Sequence, residues 1–203
     1  MSEISDDGFC LAGGAALVAA GLSVRPTRDI DAFTSRQTDV SVAAHRASER
    51  LIEAGFDVRV ERAGPAFATL LVTAAGRRRS QFRVDLGIDH IAWPPVSTPL
   101  GPTLSVRELA ANKVLALFGR VQPRDLVDLE TLARDRPIED MLADAAVKDP
   151  GFERSILAEM IEHVVARPDP EWPPGTDVGR VRAFGRALAA ALRSGAPRAC
   201  PIS

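Results

Sequence analysis

The first half of the chain alternates apolar and polar residues in the way that is typical of strands with one buried face. This alternation runs through residues 56–60 and 82–88, and each stretch therefore predicts a half-buried strand. Residues 66–73 are more continuously apolar, which indicates a more deeply buried strand. Residues 29–33 predict one further short strand. We therefore expect a sheet in this half of the chain.

Helical spacing occurs between these strands. Residues 41–54 predict a helix that ends before Gly55, a residue typical of the position just after a helix. The apolar face of this helix would contain Val42, Leu51 and Ala54. Residues 8–22 predict a strand end, a Gly13–Gly14 turn and a short apolar helix that Gly21 ends.

The pattern becomes helical after residue 102. Ser105 and Glu108 have the spacing of a capping box that opens a helix through about Phe118. Pro123 suits the first position of a second helix, and two amphipathic helices follow. Residues 93–102 contain four prolines and predict irregular structure. We therefore place a boundary between a domain of residues 1–100 and a helical domain of residues 101–203.

Composition limits the classes of protein that need to be considered. The 203 residues suffice for one sizeable core or two small domains. The only cysteines, Cys10 and Cys200, lie at opposite ends, which excludes a disulfide framework and favours a reducing cytoplasm. The longest uncharged apolar run is shorter than the roughly 20 residues that a membrane span needs, so we expect no membrane partner. A net charge of −2 argues against a surface that coats polyanions generally.

The candidate chemistry begins with two carboxylates separated by one residue. In an extended strand, Asp29 and Asp31 point to the same side. A divalent cation makes such a pair of like charges favourable, and Mg²⁺ takes one or two carboxylates together with waters and substrate phosphates. Gly13 and Gly14 complement this pair, because backbone without Cβ approaches a phosphate closely. The sequence therefore predicts a cation site beside a phosphate loop.

A third carboxylate is needed to hold two cations around a reacting phosphorus. Asp85 has apolar neighbours, Val84 and Leu86, so it should point away from the core toward the side of the acidic pair. Asp89 is the alternative, because it also follows an apolar residue. The competing structural interpretation of Asp85 is a surface ion pair with Arg83 or Arg28.

The helical half carries a second set of charged residues. Lys113 could place its ammonium on a phosphate, and Arg120 could do the same or stack on a base. Asp125 could orient Lys113 or act as a base for an acceptor hydroxyl, and stabilisation of a helix start is its structural alternative. We expect Asp128 to be an exposed partner of Arg124.

Together these motifs resemble one known family. The segments GGAAL (13–17), RPTRDIDAF (25–33), ELAANKVLAL (108–117) and RVQPRDLVDL (120–129) are similar to the AbiEii/AbiGii toxin family, within the DNA polymerase beta-like nucleotidyltransferase superfamily. The resemblance extends over about residues 9–132. It implies an α+β fold, a minimal mixed sheet with flanking helices followed by a small helical domain.

The resemblance also implies transfer of a nucleoside monophosphate from an NTP to an acceptor hydroxyl. It implies two Mg²⁺ ions, with Mn²⁺ as an alternative, and an antitoxin protein as partner. The acceptor could be tRNA, or a small molecule of the antibiotic type, and a third interpretation is an inactive nucleotide-binding module. The expected metal ligands are Asp29, Asp31 and Asp85. The expected nucleotide-binding residues are Gly13, Gly14, Arg25, Thr27, Arg28, Lys113 and Arg120. The expected catalytic residues are Asp29, Asp31, Asp85, Lys113 and Asp125.

Overall fold

The fold combines a mixed sheet with helices. The computed structural model describes residues 7–22, 27, 29–74 and 81–195. This part of the chain forms seven strands and seven α-helices, which confirms the predicted α+β class. Two compact units are formed, Met1–Val106 and Arg107–Ser203.

The strands all lie in the first unit. Their bounds are Cys10–Ala12 (β1), Asp29–Thr34 (β2), Phe56–Ala63 (β3), Phe67–Ala74 (β4), Gln81–Ile88 (β5), Val96–Thr98 (β6) and Gly101–Thr103 (β7). They form one sheet in the order β3-β4-β5-β2-β1-β7-β6. The central strand β2 pairs in parallel with β5 and antiparallel with β1. Asp29 and Asp31 on β2 therefore lie between these two strands.

The helices occur in both units. Their bounds are Gly13–Ala19 (α1), Val40–Glu53 (α2), Val106–Gly119 (α3), Pro123–Leu132 (α4), Ile138–Lys148 (α5), Arg154–Val165 (α6) and Val178–Ser194 (α7). Each helix predicted from the sequence is confirmed, whereas α5 was not predicted. The buried side of α5 consists of Met141, Leu142, Asp144 and Ala145. Asp144 is charged and interrupts the apolar spacing by which the other helices were predicted.

One face of the sheet packs against α2 and forms the core of the first unit. The sheet contributes Ala32, Ala68, Leu70, Val72 and Leu86 to this core, and α2 contributes Val40, Ala43, Ala44 and Ala47. Small residues on α2 allow the helix to lie close to the strands. Because side chains alternate along a strand, the neighbours of Ala32 and Leu86 point to the opposite face. That face carries the acidic residues.

Two expectations in the first unit were wrong. Residues 93–102 are not simply irregular, because they contain β6 and the start of β7, and β7 pairs with β1 in the main sheet. Val42 and Ala54 do not belong to the buried face of α2, because Val42 is 52 % exposed and Ala54 is exposed just after the helix ends. The residues of α2 that contact the core instead include Val40 and Ala43, which lie about one helical turn apart on its buried face.

The second unit is built from close helix packing. A Cβ at Gly185 in α7 would lie 2.8 Å from Val165 Cγ2 and 3.0 Å from Leu126 Cδ2, so this glycine permits the close approach of α7 to α6 and α4. Glu108, expected in a capping box, is fully buried and forms an ion pair with Lys148.

Within the described residues, no helix combines the length and the apolar character that a membrane span requires.

Candidate active site

The parallel pairing of β2 and β5 brings the predicted acidic residues to one place. Asp31 lies directly beside Asp85 in the register, and Asp29 lies beside Arg83. Directly paired residues on adjacent strands point to the same face of a sheet. The three carboxylates therefore share the face opposite the core, and we call this surface of Asp29, Asp31 and Asp85 the acidic face. It is the arrangement that the sequence predicted.

The glycine turn lies directly against the acidic face. Ala12, the last residue of β1, pairs with Asp31, and Gly13 follows with a φ of 60°. A Cβ on Gly13 would lie 1.8 Å from Asp31 Oδ2, closer than any two non-bonded atoms can approach. Gly13 is thus required twice, for its left-handed backbone and for the space that the Asp31 carboxylate occupies.

We expect Gly13→Ala to impair both stability and activity. The left-handed backbone would cost about 1–2 kcal/mol. Displacement of the Asp31 carboxylate should lower activity on the order of 10²-fold, as misplacement of a reacting group does. Urea unfolding and a nucleotidyl-transfer assay measure the two effects.

Gly21→Ala is the matched control for this substitution. Gly21 also has a positive φ, 71°, but nothing lies within 4 Å of the position that a Cβ would take there. It should show the same backbone cost with activity retained. Equal loss of activity in the two variants would contradict the contact between Gly13 and Asp31.

Thr27 has a local structural role at the start of β2. Its hydroxyl donates to the carbonyl oxygen of Asp29 at 3.0 Å and accepts from the Asp29 amide at 3.2 Å. These bonds fix the backbone where the acidic pair begins. The predicted nucleotide-binding residues Arg25 and Arg28 lie outside the described residues.

Asp85 has two partners on the acidic face. Thr69 donates its hydroxyl to Asp85 Oδ1 at 2.7 Å, and Arg83 Nε lies 3.1 Å from Oδ1 and 2.9 Å from Oδ2. The surface ion pair with Arg83, the structural alternative for Asp85, is therefore formed. Neither Arg83 nor Thr69 was predicted as a functional residue, and Arg83 was expected only as the structural partner of Asp85. The two-residue spacing of Arg83 and Asp85 could have indicated the first, whereas Thr69 depends on the register between β4 and β5.

The acidic face fits a cation that arrives with a substrate better than one held by protein alone. Among residues 7–22, 27, 29–74 and 81–195, no three His, Cys, Asp or Glu side chains form a group that could hold a metal ion. Mg²⁺ usually needs only one or two carboxylates, and phosphates and waters complete its shell. The paired Asp31 and Asp85 meet that need. Asp89 follows the end of β5, roughly 13 Å along the strand from Asp85, so the register favours Asp85.

The second predicted set of residues forms a buried ion cluster in the helical unit. Lys113 Nζ lies 3.2 Å from Asp125 Oδ1 and 2.8 Å from Asp128 Oδ2. Arg120 Nε lies 2.8 Å from Asp125 Oδ2. The expectation that Asp128 is exposed was wrong, because Asp128 is 1 % exposed and contacts the Lys113 ammonium. Its predicted pairing with Arg124 stays a prediction. We call Lys113, Arg120, Asp125 and Asp128 the lysine cluster.

Asp125 stays ionised within this cluster. Burial alone would raise the pKa of its carboxyl, but the hydrogen bond from Arg120 and the charges of Lys113 and Arg120 together hold the pKa below its ordinary value. The folded state therefore binds a proton at Asp125 less readily than the unfolded chain does. This difference links the stability of the fold to pH.

We expect the stabilising effect of Asp125 to disappear in acid. A lowered folded-state pKa gives stability that is complete above the unfolded pKa of about 4 and is lost as the pH falls through the folded pKa. The difference in free energy of unfolding between wild type and Asp125→Asn should be largest above about pH 5 and shrink below about pH 4. Urea unfolding at a series of pH values measures this difference.

Leu126→Ala provides the comparison for this pH dependence. Leu126 is fully buried next to Asp125 and does not titrate, so its loss should cost the same at every pH. A pH-independent effect of Asp125→Asn would contradict the charge assignment in the cluster.

The sheet, the acidic face and the glycine turn together define the fold and candidate site of a nucleotidyltransferase. Residues 2–174 match the family model described as nucleotidyl transferase AbiEii toxin, type IV toxin–antitoxin system. The chain belongs to this family and is a nucleotidyltransferase, which confirms the resemblance stated from the motifs. No curated protein matches the chain significantly.

Solved structures show the same fold at low sequence identity. JHP933 from Helicobacter pylori is 16 % identical with a TM-score of 0.59, and the match covers 95 % of this chain and 87 % of that one. MenT4, a nucleotidyltransferase toxin from Mycobacterium tuberculosis, is 18 % identical with a TM-score of 0.63, and the match covers 94 % of this chain and 79 % of that one.

Proposed function

We propose that this chain transfers a nucleoside monophosphate from an NTP to an acceptor hydroxyl, with pyrophosphate as the leaving group. The observation that carries the proposal is the position of Asp31, which lies beside Asp85 in the register and against the Gly13 backbone. A triphosphate bound at this turn would bring its charge next to the carboxylates. Family membership supports the reaction class.

Asp29, Asp31 and Asp85 would hold Mg²⁺ delivered with the NTP, and Mn²⁺ would substitute for it. The bound cation would supply charge neutralisation and orientation of the triphosphate. Gly13 and Gly14 would lie along the β- and γ-phosphates, where their lack of side chains permits close approach. Ala12 directly precedes α1 and has no polar side-chain atom, so its side chain does not cap the amide N–H groups of the first turn. The protein's contribution is thus positioning of the reactants and electrostatic stabilisation.

The lysine cluster enters the proposal through the family motif. Lys113 and Arg120 would neutralise charge on the nucleotide, and Arg25, Thr27 and Arg28 would also bind it. Asp125 would orient Lys113, which is consistent with the 3.2 Å contact between them. This contact supports a positioning role for Asp125 better than that of a base for the acceptor hydroxyl, since Lys113 and Arg120 both bind its carboxylate.

We propose tRNA as the acceptor and a cognate antitoxin as the partner, in line with the toxin family. The test is incubation of the purified protein with each of the four labelled NTPs, Mg²⁺ and total tRNA, and separately with small hydroxyl-bearing acceptors of the antibiotic type. Label transferred to tRNA supports the proposal. Label found only on small acceptors would reject the tRNA assignment, and binding of NTPs without any transfer would reject the reaction.

A further inference from the structure

Arg83 forms an ion pair with Asp85, the third carboxylate of the acidic face. Its Nε lies within hydrogen-bond distance of both oxygens of Asp85, at 3.1 and 2.9 Å. A second guanidinium nitrogen, Nη2, lies 3.4 Å from the Thr69 hydroxyl, which itself donates to Asp85 Oδ1. Thr69 is 2 % exposed, so this anchor is fixed in the sheet. The Asp85 carboxylate is therefore already hydrogen-bonded to Arg83 and Thr69. A metal ion that binds Asp85 would have to compete with these hydrogen bonds.

The guanidinium also lies in the field of the neighbouring acids. Arg83 pairs with Asp29 in the strand register and therefore belongs to the acidic face itself. The side chain of Arg83 is 47 % exposed, whereas that of Asp85 is 16 % exposed. Arg83 can therefore leave Asp85 for solvent without any rearrangement of the core.

We propose that Arg83 is a resident counter-ion of the acidic face that competes with the divalent cation for Asp85. This inference rests on the proposed function, because it assumes that the cation binds at Asp29, Asp31 and Asp85. Before the nucleotide binds, the guanidinium neutralises Asp85 and lowers the affinity of the face for a free cation. The triphosphate then adds the oxygen ligands that favour the cation. Arg83 is thus a positioning residue that makes metal binding depend on the nucleotide.

The test measures Mn²⁺ binding to the nucleotide-free protein, from the electron paramagnetic resonance signal of free Mn²⁺. Arg83→Gln removes the competing charge and should bind Mn²⁺ about fivefold more tightly than wild type, the value of a half-exposed ion pair. If Arg83 served only to fix the position of the Asp85 carboxylate, Arg83→Gln would instead weaken Mn²⁺ binding. Circular dichroism and thermal unfolding confirm that the variant is folded.

Arg59→Gln is the matched control for a general change of charge. Arg59 lies on β3 in the same sheet, is exposed, and pairs with Glu61 at 2.8 Å rather than with Asp85. It should bind Mn²⁺ as wild type does. Equal tightening in Arg59→Gln and Arg83→Gln would overturn the proposal, since the effect would then be one of net charge alone.

A double-mutant cycle with Asp85 identifies the carboxylate concerned. In an Asp85→Asn background, Arg83→Gln should no longer tighten Mn²⁺ binding. Tightening that persists in this background would also overturn the competition for Asp85.

Asp31→Asn separates this inference from the proposed function. If Asp31→Asn abolishes Mn²⁺ binding while Arg83→Gln leaves it unchanged or weaker, the inference is wrong and the proposed metal site stands. If neither wild type nor Arg83→Gln binds Mn²⁺ at millimolar concentration in the absence of nucleotide, the competition for Asp85 is rejected. The proposed function is then judged separately, by metal-dependent nucleotidyl transfer in wild type.

Discussion

Asp31→Asn is expected to lower nucleotidyl transfer on the order of 10³-fold while leaving the fold intact. The substitution keeps the shape of the side chain and removes the negative charge that would bind the cation delivered with the triphosphate. Asp31 is central to the site, because it lies beside Asp85 on one side and against Gly13 on the other. Transfer of labelled nucleotide under saturating NTP and Mg²⁺ measures the loss, and urea unfolding measures the stability.

Asp57→Asn is the control for Asp31→Asn. Asp57 lies on the edge strand β3 of the same sheet, three strands from β2, and is exposed, so it makes the same charge change at a distance from Asp31. It should retain full activity. Mg²⁺-dependent NTP turnover that survives in Asp31→Asn would reject the assignment of the acidic face as the site of transfer.

Lys113→Met is expected to cause the largest loss of stability, about 3–5 kcal/mol in the free energy of unfolding. Lys113 is 7 % exposed, and its ammonium lies between Asp125 and Asp128, which are themselves buried. Removal of the ammonium leaves the charge of these carboxylates uncompensated in a poorly solvated place. Urea unfolding at pH 7 measures the effect.

Two further variants distinguish burial of charge from loss of a contact. Arg120 also binds Asp125, but its side chain is 48 % exposed, so Arg120→Gln should cost only about 1 kcal/mol. Asp128→Leu combined with Lys113→Met should recover at least half of the lost stability, since it removes the carboxylate that lost its ammonium and leaves Asp125 with Arg120. Unchanged stability in Lys113→Met together with lost activity would instead indicate that Lys113 acts mainly on the nucleotide.

The sequence by itself determined most of the elements and the side of the sheet on which the acidic residues lie. The alternation around Val84 and Leu86 places Asp85 away from the core, because side-chain direction in a strand depends only on parity. The same local rule places Asp29 and Asp31 on one side of β2. The Gly13–Gly14 turn together with the motifs that follow it was sufficient to indicate the family.

The sequence was less informative where an element depends on distant partners. β6 and β7 were not expected because prolines usually interrupt strands, yet β7 is held by its pairing with β1. The buried side of α5 includes Asp144, whose charge is met by Arg107 at 2.7 Å, a contact between residues 37 positions apart. No local pattern predicts such an ion pair.

Only the tertiary structure decided which carboxylates and counter-ions meet. The choice of Asp85 over Asp89 follows from the parallel register of β2 and β5, which pairs Asp31 with Asp85. The burial of Asp128 and the approach of Thr69 to Asp85 likewise depend on packing and strand pairing. Parity along a strand is a local property that the sequence carries, whereas register and burial are set by contacts between distant segments and are fixed only when the chain folds.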